Sequence, residues 1–167
     1  MARASVTSTG SSYDAVHLKE NIAAFFNDYR RAVEAMNAEA MSSFYSYPVL
    51  LTDEANQRVL ETAADYVSAV APTVGSWREL GVASVNALDL EVVPVASSLA
   101  VAVVDWEALG KDDQPLYSFR ALYTLIRKEA WRITAIAFNE RPNLRAALRA
   151  RRDAQGQGAK GRPSGTL

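Results

Sequence analysis

The sequence predicts an α+β fold in which helices come first and a curved antiparallel sheet follows. Three observations lead there. Residues 14–36 place apolar side chains every three to four positions, which is the stripe of an amphipathic helix. From Val82 onward the stretches 82–95, 99–108, 116–127 and 131–139 are rich in β-branched and aromatic residues, with short polar breaks between them. A length of 167 residues suits one domain built on a single core.

Residues 1–12 are rich in Ser, Thr and Gly and are expected to be flexible. The first helix follows, with Ser11 or Asp14 as cap and Leu18, Ile22, Phe25, Phe26, Tyr29, Val33 and Met36 on its stripe. Asn37 caps a short second helix with Ala40, Met41 and Phe44 inward, and Pro48 ends it by pushing Tyr47 out of helical geometry. Residues 49–52 and 57–60 read as a hairpin joined by the polar turn Asp53-Glu54-Ala55-Asn56. Thr62-Ala63-Ala64-Asp65 has the capping-box pattern, so a third helix starts there and carries Tyr66, Val67 and Val70 as far as Pro72. Trp77 and Leu80 fall in an irregular or helical piece closed by Gly81.

After the four strands, Pro142 sits at the first turn of a basic helix with Leu144 and Leu148 on one face. The domain is therefore bounded at residues 13–140, the helix at 141–154, and a glycine-rich disordered tail at 155–167.

A two-residue turn at Glu129-Ala130 would place Ile126 beside Ile133, Leu122 beside Ala137 and Arg120 beside Asn139. Closing the loop at 110–115 would bring Asp105 opposite Arg120. One sheet face then carries Val101, Val103, Leu122, Thr124, Ile126 and Ile133, with Asp105, Arg120 and Asn139 at one end. The other carries Ala102, Val104, Trp106, Phe119, Tyr123 and Ile136. Both are apolar, so the face turned away from the helices needs a partner of its own, most simply a second copy of the sheet.

Composition excludes several chemistries. The chain has no cysteine, which removes thiol nucleophiles and disulfides. No phosphate loop, dinucleotide fingerprint or histidine-based metal spacing occurs, so neither a cofactor nor a metal is expected. The N-terminus lacks the apolar segment of a secretory signal and no run is long enough to span a membrane, so a soluble, cytoplasmic protein is expected. Residues 1–140 carry a net charge of −7 and residues 141–167 a net charge of +6. That basic end has no aromatic residues to stack on bases, and a solvated helix is a better reading of it than a nucleic-acid-binding arm.

The order of elements, with "FYSYPVLL" after the second helix, "LETAADYV" opening the third and "WRITAIAFNE" closing the sheet, resembles the nuclear-transport-factor-like superfamily of SnoaL-like polyketide cyclases and ketosteroid isomerases. The resemblance covers about residues 15–140. It implies a cone-shaped curved sheet wrapped around three helices, an apolar pocket inside the cone, and a homodimer through the outer sheet face. Bacterial ketosteroid isomerases place a tyrosine donor on the first helix and a base aspartate 24 residues later, and Tyr29 and Asp53 have that spacing. Their second acid is missing near Arg120-Ala121, and the histidines usual in SnoaL-like cyclases are absent from the last strand, so steroid isomerisation itself is not expected.

The catalytic candidates are Asp53, Asp105 and Tyr29. Asp53 reads either as an inward-facing base or as a turn residue bonding its own following backbone. Asp105 with Arg120 reads either as a polar patch on a pocket wall or as an ion pair fixing the sheet register. Tyr45, Tyr47, Trp77, Arg120, Thr124 and Asn139 are candidate ligand contacts. His17, the one histidine, reads as a capping or surface residue. Two functions follow. One is a cofactor-free isomerase, cyclase, dehydratase or hydrolase acting on an apolar small molecule. The other is a noncatalytic binding or dimerisation module of the same fold.

Overall fold

The structure is a computed structural model that describes residues 10–160. The predicted flexible and disordered ends at 1–9 and 161–167 lie outside the described residues. Helix α1 (Gly10–Glu34) begins earlier than the sequence suggested, so Ser11 and Asp14 fall inside it rather than capping it. It buries Leu18, Ile22, Phe26 and Tyr29 of the predicted stripe, together with Ala32, while Phe25, Val33 and Met36 are partly buried against the core. Its C-terminal end is pinned to the sheet by Glu34, whose Oε1 accepts from Arg30 at 2.7 Å and from the Val85 amide at 3.1 Å.

Helix α2 (Ala38–Ser42) is capped by Asn37, which accepts from the Ala40 amide at 2.9 Å. It is shorter than expected, because the chain enters strand β1 (Tyr45–Thr52) well before Pro48. Phe44, placed on α2 by its spacing, instead precedes the strand and accepts through its carbonyl from the Ile133 amide at 2.9 Å. Strand β2 (Gln57–Leu60) completes the hairpin.

Helix α3 (Ala63–Leu80) has the full capping box of Thr62 and Asp65 and ends on Gly81 in left-handed geometry at φ 79°. One helix spans Pro72, where the sequence suggested a break. The proline lies on the exposed side, while Tyr66, Val74, Trp77 and Leu80 bury the same face on either side of it. Packing of that face outweighs the one hydrogen bond a proline removes.

Strands β3 (Ser84–Ala96), β4 (Leu99–Leu109), β5 (Pro115–Arg127) and β6 (Trp131–Phe138) follow, and the six strands form one sheet in the order β2-β1-β6-β5-β4-β3. Every pairing is antiparallel except β1 with β6. Register shifts interrupt the ladders between Ala87 and Asp89, Pro94 and Ala96, and Thr124 and Leu125. Such bulges add twist and bend the sheet, which curves without closing.

The predicted pairs Asp105 with Arg120 and Leu122 with Ala137 are present. The shift after Thr124 alters the end of the hairpin: Leu125, not Ile126, stands opposite Ile133, and Ile133 turns into the core. The concave face is thus Ala102, Val104, Trp106, Ala121, Tyr123, Leu125, Ile133 and Ile136, all buried against α1 and α3. Alanines on β4 and β5 leave room for Phe26, whose ring meets Tyr123 edge-on at 4.8 Å.

Helix α4 (Glu140–Lys160) closes the fold. It starts at Glu140 and continues through residues 155–160, which the sequence had assigned to the tail. Arg152 pairs with Glu79 at 2.7 Å and Arg151 donates to the Leu80 carbonyl, so part of the basic end is spent on the C-terminus of α3. Among the described residues, no helix is long and apolar enough to cross a membrane.

Candidate functional site

Between the concave face, α1, α3 and the start of α4 lies a cavity of about 90 Å³. That volume is room for several waters or a small organic molecule. Its wall is rich in aromatic residues, among them Tyr29 from α1, Tyr66 and Trp77 from α3, Tyr45 from β1, Trp106 from β4, and Tyr117, Phe119 and Tyr123 from β5.

The Tyr29 and Tyr45 hydroxyls are 2.9 Å apart, and the Tyr45 and Tyr66 rings lie 4.4 Å centre to centre. Burial pushes Tyr29, Tyr45, Tyr66 and Tyr123 upward, so all four remain neutral donors through the ordinary pH range. Trp106 donates from Nε1 to the Tyr123 hydroxyl at 3.0 Å, fixing both rings in the wall.

Among the described residues, the one carboxyl in the lining is Glu140, at the first position of α4. It is 7% exposed. Its Oε1 accepts from Tyr117 at 2.7 Å and from Trp77 Nε1 at 2.9 Å, and Trp77 Nε1 also reaches the Tyr117 oxygen at 2.8 Å. Neither donation to the carboxyl uses Oε2. Burial raises its proton affinity above the usual glutamate range, against the opposing pull of Tyr117, Trp77 and the Arg141 charge. Burial and the Glu140 charge together drive Tyr117 far above an ordinary phenol, so Tyr117 keeps its proton. The arrangement is a buried carboxyl of raised proton affinity in an apolar cavity, its orientation set by two donors.

Of the residues expected from the sequence, Tyr29, Tyr45 and Trp77 line this cavity together. Tyr47 lies outside the lining and donates its hydroxyl to the Ser42 carbonyl at 3.0 Å. Asp53 is also outside it. Its Oδ1 accepts from the Ala55 and Asn56 amides at 2.9 and 2.8 Å, which is the turn chemistry, and its Oδ2 pairs with Arg141 at 2.9 Å. The base position suggested by the 24-residue spacing is therefore not where the chain puts this carboxylate. It ties the hairpin to α4 and holds Arg141, which does line the cavity.

Asp105 and Arg120 pair on the opposite, convex face through two contacts of 2.6 Å, with Asn139 Oδ1 accepting from the Arg120 amide at 2.8 Å. The arginine holds the Asp105 carboxyl below its ordinary range. Together with Ser118 and Asn143 they edge an open depression outside the cone. Thr124 is also on the convex face, where its carbonyl accepts from Thr134. None of these four reaches the cavity. His17 is exposed and lies 3.2 Å from Glu20.

Sequence reasoning missed Glu140, Arg58 and Arg141. Glu140 sits where an acid is routine, at a helix start, and its partners Trp77 and Tyr117 are 63 and 23 residues away. Arg58 had a usable signal: it stands two residues before the buried Leu60 in a strand, and so shares its face. Among the described residues, no group of three or more His, Cys, Asp or Glu side chains is placed to hold a metal.

The fold matches many solved structures. An NTF2-like protein with a cystatin-like fold from Novosphingobium aromaticivorans superposes with a TM-score of 0.62 at 13% identity, covering 83% of this chain and 91% of that one. A hexachlorocyclohexane dehydrochlorinase, LinA type 2, gives 0.57 at 12% identity over 75% and 86%. A ketosteroid isomerase-like protein from Erwinia carotovora atroseptica gives 0.56 at 14% over 72% and 94%. At these identities the likeness is one of fold alone. No curated protein matches by sequence. The model of one family does match, across residues 19–141 and so from the first helix to the start of α4, and the chain belongs to the NTF2-like protein family DUF6841.

Proposed function

We propose that this protein binds a small, mainly apolar molecule inside the cone and carries out cofactor-free proton transfer on it, with Glu140 as the acid or base. The observation that carries this reading is the buried Glu140 carboxyl, oriented by Trp77 and Tyr117 and held toward its protonated form. A carboxyl with raised proton affinity can give a proton near neutral pH and take it back, as isomerisation, cyclisation, dehydration or hydrolysis requires. Tyr29 and Tyr45 share one hydrogen bond, so the pair leaves one neutral hydroxyl proton for an oxygen that gains charge. The dehydrochlorinase and the ketosteroid isomerase-like protein among the structural relatives support the fold as a host for such chemistry.

Thermal unfolding in the presence of a panel of small phenols and aromatic ketones tests binding. At least one is expected to stabilise the wild type and not Ala69→Trp, which fills the cavity from α3. No stabilising compound, or equal stabilisation of both proteins, would contradict the reading.

We also infer that two copies associate through the convex face. Cross-strand register builds one row there from Val93, Val101, Thr124, Ala135, Leu50 and Val59, and a second containing Val103, Leu122, Ala137 and Thr52. Val93 and Leu122 are 48% and 41% exposed. Small residues on β5 and β6 allow a second sheet to approach, while Asp89, Asp105, Arg120 and Asn139 form a polar row that would lie at the rim. Light scattering should give the mass of two 18.2-kDa chains, and Leu122→Arg should halve it. A monomeric wild type, or a variant that stays dimeric, would refute the association.

A further inference from the structure

We propose that the ligand is a small amphipathic carboxylate whose apolar ring lies among the aromatic side chains and whose carboxylate sits at the cavity mouth on Arg58. This rests on the cavity being a ligand site, and adds the chemical class.

The inner face of the sheet carries one cross-strand row running Ala102, Tyr123, Ile136, Leu51 and Arg58. The last four line the cavity, so the apolar wall ends in a guanidinium on the edge strand β2. Arg58 is exposed there, and among the described residues no carboxylate lies within ion-pairing distance of it. Arg141 lines the same cavity, but its Nη1 is taken by Asp53 at 2.9 Å. Arg58 is thus the guanidinium of the lining that, among the described residues, no carboxylate pairs.

Inside, Glu140 is a buried acid that already accepts from Trp77 and Tyr117, and the tyrosines stay neutral. Nothing in the interior therefore compensates an anion, and an ionised group placed there would lose its hydration without a partner. At the mouth it keeps part of that hydration and gains a charge-assisted, planar pair with the guanidinium. One negative charge matches that one unpaired guanidinium. A phosphate monoester, with about two charges at neutral pH, would overfill it beside Asp53.

The test uses three probes with one body, 4-ethylbenzoate, 4-ethylbenzamide and 4-ethylphenyl phosphate, titrated calorimetrically into wild type, Arg58→Gln and Ala69→Trp at pH 7. The benzoate is expected to bind wild type at least tenfold more tightly than the amide. Arg58→Gln should bring the two within about threefold by weakening the benzoate alone, as expected for loss of one charge-assisted contact, and Ala69→Trp should bind neither. If the amide binds wild type and not Ala69→Trp, but the benzoate shows no advantage or keeps it in Arg58→Gln, the carboxylate assignment is overturned while the cavity reading stands. A phosphate that binds more tightly than the benzoate also overturns it. If no probe binds wild type, the cavity reading falls and this proposal with it.

Discussion

Replacing Glu140 by glutamine is expected to make the protein more stable than the wild type at neutral pH, by a margin that shrinks as the pH is lowered. Glutamine keeps an acceptor for Trp77 and Tyr117 and removes the buried charge. The sign follows from proton binding. The unfolded glutamate titrates near 4.5, and the folded one above it. Between those two values the folded chain holds a proton that the unfolded chain has released, so stability falls as pH rises through the window. Below 4.5 both states are protonated and the penalty disappears. Each unit of separation corresponds to about 1.4 kcal/mol. Urea denaturation of both proteins from pH 4 to pH 8 measures the gap. A gap that is flat with pH, or that widens toward acid, would contradict the burial of this carboxyl. The same substitution is expected to slow any turnover by about 10²–10⁴-fold, the usual size of a general acid–base contribution. The variant would then be more stable and less active, an opposition typical of a site residue.

The second large effect is expected at Phe26. Its ring is 3% exposed and meets Tyr123 at 4.8 Å, Trp106 at 6.3 Å and Tyr29 at 6.4 Å. Those three residues are cavity wall, and Phe26 is the packing behind them. Phe26→Ala should cost about 3–5 kcal/mol, from lost burial and from the void left in a rigid sheet-and-helix contact. It should also join that void to the ligand cavity and weaken binding of any probe that fits the wild type. A loss below about 1 kcal/mol would mean that the core closes around the deletion, which the range for large-to-small core changes does not anticipate.

Much of the fold is legible because its signals are local. The 3.6-residue stripe of α1, the Thr62–Asp65 box and the Gly81 stop each need only a few neighbouring residues. The Asp105–Arg120 register also follows from loop length alone. What is not legible depends on distant parts of the chain. Both sheet faces are apolar, so alternation alone cannot say which one meets the helices, and that choice moves Asp105, Arg120, Thr124 and Asn139 from the cavity to the outside. Asp53 has an arginine partner 88 positions away, at the start of the last helix. Pro72 looks like a helix end until the buried face of α3 is seen on both sides of it. Tyr29, Tyr45 and Trp77 line the cavity as expected of candidate contacts, because an aromatic in an apolar segment is close to the core whether it packs or lines a pocket. Glu140 was not, since an acid opening a helix is ordinary until two buried donors converge on it.

The most direct measurement is a carbon-13 titration of the Glu140 side-chain carboxyl, assigned by its loss in Glu140→Gln, with and without a saturating aromatic ligand. The carboxyl is expected to titrate above 4.5 in the free protein and to shift further when the ligand displaces water from the cavity. A carboxyl that titrates at or below 4.5 and is unmoved by a ligand bound in the cavity would contradict its role as the proton-holding group of the site.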